Sequence, residues 1–233
     1  MKTRGLGAGQ PRSVETSVTR QARLIRDAAL FDDAYYLAHA SDVAANGIDP
    51  LCHYIRWGDR EERLPHPLFD TAYYRRAVAA PLRAGVNSVV HYLQSEARAR
   101  KDPHPLFDGE RYVRLYRAAR ASSLAPLPHY LKIGGVEGYS PHPCFDGTWY
   151  LAEYPDVATV GENPLVHYLK HGWKEGRFPH PRFDTRRYLA EYPDVGATGF
   201  NPLDHYVRCG RREGRAPWFV WDARAADYRT GKH

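Results

Sequence analysis

The chain has 233 residues, 43% hydrophobic and 26% charged, so it carries enough apolar residues for a core and is not composed like a disordered segment. No run approaches eighteen apolar residues, which excludes a membrane channel, and the first seventeen residues read as no signal peptide. The net charge of +6 falls mainly on residues 1–29, at +4, and leaves residues 30–217 at only +1, so nucleic-acid binding through phosphate neutralisation is not expected.

From the N-terminus, residues 1–29 read as a basic tail with a capping helix. The Gly5-Leu-Gly7-Ala-Gly9 tract precedes no strand pattern, and Ser13 to Leu30 reads as a helix with Val14, Val18 and Ile25 on one side. Its Arg20, Arg23 and Arg26 also allow peripheral contact with a membrane. Beyond it, Phe-Asp recurs at 31, 69, 107, 145 and 183, and His-Tyr at 53, 91, 129, 167 and 205, each series with a period of 38 and no insertion. Five units follow, at 30–67, 68–105, 106–143, 144–181 and 182–217. Residues 218–233, opening on Trp221-Asp222, read as a truncated sixth unit that caps the end.

The fourth unit is the clearest. With Asp146 as N-cap, Phe145 and Tyr150 occupy the two positions of a hydrophobic staple. Pro155 is expected to stop this helix and Gly161 to suit a turn. Asn163 and Pro164 start a second helix, where Leu165, Tyr168 and Leu169 have the spacing of a buried stripe and Gly172 fits the end. A Pro-His-Pro connector leads to the next Phe-Asp. The expected fold is therefore all-α, a solenoid-like array of five helix-turn-helix repeats with terminal caps.

Units two and three depart from this pattern. Unit two has Glu96 where the others have Gly, and Ser88 where they have Pro; unit three reads Tyr116-Arg-Ala-Ala-Arg120 in place of the Pro-Asp-Val turn. Without that proline its first helix is expected to run on, carrying Arg111, Arg114, Arg117 and Arg120 at every third position. Together with Arg75 and Arg76 these form the candidate strip for an acidic partner, because Arg makes bidentate contacts to carboxylate and phosphate.

The repeated His53, His91, His129, His167 and His205 lie about 200° around the helix from the apolar Leu/Val, outside the stripe. With their neighbours Tyr54, Tyr92, Tyr130, Tyr168 and Tyr206 they are read as structural, each His bridging to an adjacent unit or a connector carbonyl; a catalyst needs one site, not five. The connector His66, His104, His142 and His180 cannot converge on one ion, since packed helices sit about 8–10 Å apart. Cys52, Cys144 and Cys209 form no C-x-x-C pair. No metal, cofactor or catalytic residue is expected, and G-x-S-x-G, Walker and H-E-x-x-H signatures are absent.

The string Tyr-Pro-Asp-Val … Gly-x-Asn-Pro-Leu-x-His-Tyr-Leu-x-x-Gly-x-x-Glu-Gly-Arg-x-Pro-His-Pro-x-Phe-Asp resembles repeats that accompany bacterial glycosyltransferases and surface-polysaccharide proteins. It is fullest at 144–181 and 182–217, and no catalytic domain is left over. The resemblance implies association with polysaccharide assembly; with the missing apolar runs and the arginine strip, the expectation is a cytoplasmic, non-catalytic adaptor or binding module whose partner is a glycosyltransferase or an anionic glycan. The alternative is a polysaccharide-modifying enzyme with its site in the Tyr/His-lined groove.

Overall fold

A computed structural model describes residues 17–78, 86–96 and 101–217. They form an all-α repeat array; among the described residues the only β contacts are isolated bridges, His66 to Phe69 and His180 to Phe183. The sixth-unit reading of 218–233 and the Gly5–Gly9 tract lie outside the described residues.

Each unit is a pair of helical arms, and the fourth shows why. Asp146 caps the first arm, Gly147–Glu153, by accepting from the Trp149 N–H, and Phe145 packs on Tyr150 with ring centroids 5.5 Å apart. The arm breaks at Tyr154, and Pro155 does not simply end it: it opens a second segment, Pro155–Val160, as the first residue, where its missing N–H costs nothing. Gly161, at φ +71°, closes that segment in the left-handed conformation. Asn163 then caps the second arm, Pro164–His167, which passes directly into a π-helical turn, Tyr168–Gly172.

The π turn is what the sequence pattern conceals. Its wider backbone brings Gly172 under the Tyr150 hydroxyl, so close that a Cβ there would lie 2.3 Å from the oxygen. The same clash, at 2.0–2.4 Å, would occur at Gly58, Gly134 and Gly210. Unit two has Glu96 at this position, and there the second arm, Ser88–Gln94, stays α-helical and ends without a π turn. The glycine and the π turn therefore come and go together.

Aromatic rings fill the core. The staple tyrosine and the tyrosine after the repeated His meet edge to face in every unit, from Tyr36 with Tyr54 at 5.9 Å to Tyr188 with Tyr206 at 6.2 Å. The second tyrosine also crosses to the next unit. Tyr168 meets Thr185 at 3.0 Å, Tyr54 meets Thr71 at 3.3 Å, and Tyr92 accepts from the Leu127 N–H.

The array also returns on itself. Lys170 of unit four pairs with the N-cap Asp32 of unit one at 3.0 Å, and Arg208 of unit five pairs with Asp70 of unit two at 2.7 Å. Lys132 of unit three, at the same place in its repeat, donates to the Asp27 carbonyl at the end of helix Ser17–Asp27. That helix buries Ile25 and packs on the second arms of units one and two. One basic position thus ties units that lie three apart.

Candidate functional site

All five repeated histidines are bonded inside their own unit. Nδ1 lies 2.7–3.0 Å from the hydroxyl of the staple tyrosine seventeen residues earlier: Tyr36 with His53, Tyr74 with His91, Tyr112 with His129, Tyr150 with His167 and Tyr188 with His205. The partner is neither an adjacent unit nor a connector carbonyl. His53, His129 and His167 are buried, because the second arm is covered on the face opposite its Leu/Val stripe by the tyrosine of the first arm. Burial holds His129 and His167 below the ordinary histidine pKa and pushes Tyr36 up to about 12. These pairs join the two arms, each through one buried or half-buried hydrogen bond worth on the order of 1 kcal/mol.

The connector histidines are equally regular. In His66, His104, His142 and His180, Nδ1 accepts from the backbone N–H two residues on, at 3.0–3.1 Å. Burial pushes His66 down to about 3 and His142 to about 4, so both are neutral imidazoles with the proton on Nε2. Around His104 a polar cluster joins units two and five: Arg208 pairs with Asp70 and Asp204, and Asp204 lies 3.8 Å from His104 Nε2.

The arginine strip is divided. Tyr116 breaks the first arm of unit three into Gly109–Leu115 and Arg117–Ala121, at the place of Tyr154 in unit four, so the helix does not run on even with Arg117 in place of Pro155. Packing causes the break: Tyr116 stacks flat on Tyr139 at 4.0 Å, and its hydroxyl accepts from the Ser140 N–H. Arg111 and Arg114 therefore lie on one segment, Arg117 and Arg120 on the other. Arg111 donates to the Ser140 carbonyl, while Arg114, Arg117 and Arg120 are exposed, and so is Leu115. In unit two Arg75 pairs with buried Asp59, and Arg76 is exposed. Asp59 also accepts from the Ser88 N–H, the very group that Pro would remove in other units.

Units one, four and five carry instead a clamp in which Arg63, Arg177 or Arg215 chelates Asp42, Asp156 or Asp194 and also reaches Glu61, Glu175 or Glu213. Sequence reading missed one cluster, His205, Cys209 and Glu213, which bracket the last π turn and whose ligand atoms lie within 4.8 Å of one another. The i, i+4, i+8 spacing was its only sequence trace. Among the described residues no helix is long and apolar enough to cross a membrane. The chain matches no protein-family model, no curated protein and no solved structure.

Proposed function

We propose that the chain is a non-catalytic helical-repeat adaptor that binds a protein partner through its divergent central units. One observation carries this reading: all five Tyr–His pairs are closed within their units, and all five Asp side chains of the Phe-Asp series serve as N-caps. Repetition is thereby accounted for by architecture. What distinguishes one unit from another is outward, above all Arg114, Arg117 and Arg120 of unit three, which are exposed, as is Leu115. Such a patch suits an acidic protein surface, since arginine combines bidentate pairing with weak hydration. The resemblance of the repeats points to a glycosyltransferase of polysaccharide assembly as that partner, with both acting in the cytoplasm.

The test is capture of partners from native cytosol on the intact protein, beside a variant with Arg114, Arg117 and Arg120 changed to Glu. A glycosyltransferase retained by the parent and lost by the variant, at unchanged melting temperature, is the expected result. Retention by both, or recovery of an anionic glycan alone, overturns it. Turnover of a polysaccharide by the purified chain, abolished by His129→Ala without unfolding, would establish the enzyme instead.

A further inference from the structure

Unit five differs from the others at the fourth residue of its π turn, Cys209. His at the start of the π turn and Glu after it recur as His53 and Glu61, His129 and Glu137, His167 and Glu175, and His205 and Glu213. The residue between them is Trp57, Ile133, His171 and Cys209 in turn. Only Cys209 converts the register into a mixed sulfur, nitrogen and oxygen donor set, and only there, among the described residues, do three such atoms converge within 4.8 Å.

The backbone explains the convergence. In a straight α-helix, residues i and i+8 are separated by about 12 Å along the axis, too far to share an ion. The π turn Tyr206–Gly210, closed by the Arg211 N–H on the Tyr206 carbonyl, shortens and widens this path, and the turn at 211–214 brings Glu213 back over it. The surrounding bonds leave donor capacity. His205 Nδ1 is held by the Tyr188 hydroxyl at 3.0 Å, which orients the ring and leaves Nε2 as a ligand nitrogen, as outer partners do in metal sites. Glu213 gives one oxygen to Arg215, while the Cys209 thiol makes a long contact, 3.4 Å, to the His205 carbonyl and also faces the Glu213 carboxylate.

We infer that His205, Cys209 and Glu213 form a binding site for one borderline divalent transition metal, zinc in type, with the fourth tetrahedral position taken by water. Thiolate, imidazole and carboxylate together match zinc or cobalt and disfavour calcium or magnesium, which take oxygen alone. The site goes beyond the adaptor reading and does not depend on it.

Cobalt(II) titrated into the intact, reduced, metal-free protein is the probe. We expect one equivalent to bind with a thiolate-to-cobalt charge-transfer band in the near ultraviolet and tetrahedral d–d bands, both displaced by zinc. Cys209→Ser should abolish the charge-transfer band, and Glu213→Gln should weaken binding at least tenfold, while Cys52→Ser and Cys144→Ser change neither. His205 is avoided because its loss also breaks the Tyr188 bond. Absence of the band, its survival in Cys209→Ser, or its loss in Cys144→Ser overturns the site. Far-ultraviolet circular dichroism of Cys209→Ser separates loss of the ligand from loss of the fold.

Discussion

Units three and four solve one packing problem with different chemistry. In unit four Arg177 lies over the Tyr154 ring at 4.9 Å and chelates Asp156, clamping the end of the unit onto the break in its first arm. In unit three Tyr139 replaces the arginine, Ala118 stands where the aspartate would be, and the clamp becomes a stack of Tyr139 on Tyr116. The tyrosine at the break is common to both, and in both its hydroxyl accepts from a backbone N–H, Phe178 in one and Ser140 in the other. The break therefore belongs to that tyrosine and its dock rather than to proline. Unit two differs more deeply, since it has given up the glycine and with it the π turn.

The largest effect should come from the glycine. Gly172→Ala puts a methyl 2.3 Å from the Tyr150 hydroxyl, so either the π turn or the Tyr150–His167 bond must yield. A loss of about 3 kcal/mol in urea unfolding is expected. Glu96→Ala, at the matching place in unit two, should change stability by less than about 0.5 kcal/mol, because that side chain is exposed and no π turn depends on it. Equal losses at the two sites would show that the glycine serves something other than the turn.

Acid should act on both kinds of unit alike, because the connector histidines are shared. Their folded pKa values lie below the unfolded value of 6.5, at about 3 for His66 and about 4 for His142. The unfolded chain therefore binds protons first as pH falls. The stability these groups contribute is complete above about pH 7 and is lost from there down towards pH 4, by up to about 1.4 kcal/mol per pH unit for each. Urea midpoints between pH 7.5 and 4.5 should trace this slope. His142→Asn, which keeps an acceptor for the Cys144 N–H, should flatten it by one proton.

Tyr150→Phe removes the hydroxyl from buried His167 Nδ1 and should cost about 1–2 kcal/mol. Tyr74→Phe should cost less. The Tyr74–His91 bond is only partly buried, so water can reach the nitrogen that loses its partner. Urea unfolding of the two variants side by side measures the difference.

Much of the unit was legible because local chemistry writes it. Asp146, Phe145, Tyr150, Asn163 and Pro164 act where cap and staple rules place them. The pairing of Lys170 with Asp32 spans 138 residues and depends on how far the array turns per unit, which no repeat pattern encodes. Position 27 of the unit carries a cation in most copies, but nothing nearby in sequence names its partner. The metal-ligand cluster was hidden for a related reason: His205 was accounted for as architecture, and i+8 looks remote until the π turn folds Glu213 back.

The comparison between units three and four can be sharpened by exchanging their chemistry. Ala118→Asp with Tyr139→Arg would install the clamp of unit four in unit three, where Glu137 already occupies the place of Glu175. The exchange surrenders an aromatic stack worth about 0.5–1.5 kcal/mol and gains a cation–π contact of about 0.5–1 kcal/mol together with an exposed chelate. Net stability should stay within about 1 kcal/mol of the parent, so midpoint alone says little. The informative reading is salt. The parent stack has no charge to screen, whereas the transplanted clamp should weaken between 0.05 and 1 M salt, a range over which the screening length falls to about 3 Å. Tyr139→Arg alone, without its aspartate, should lose more stability than the pair. If single and double variants are equally stable, Arg and Asp do not couple in that setting, and in unit four it is the ring of Tyr154, not the carboxylate of Asp156, that holds Arg177 in place.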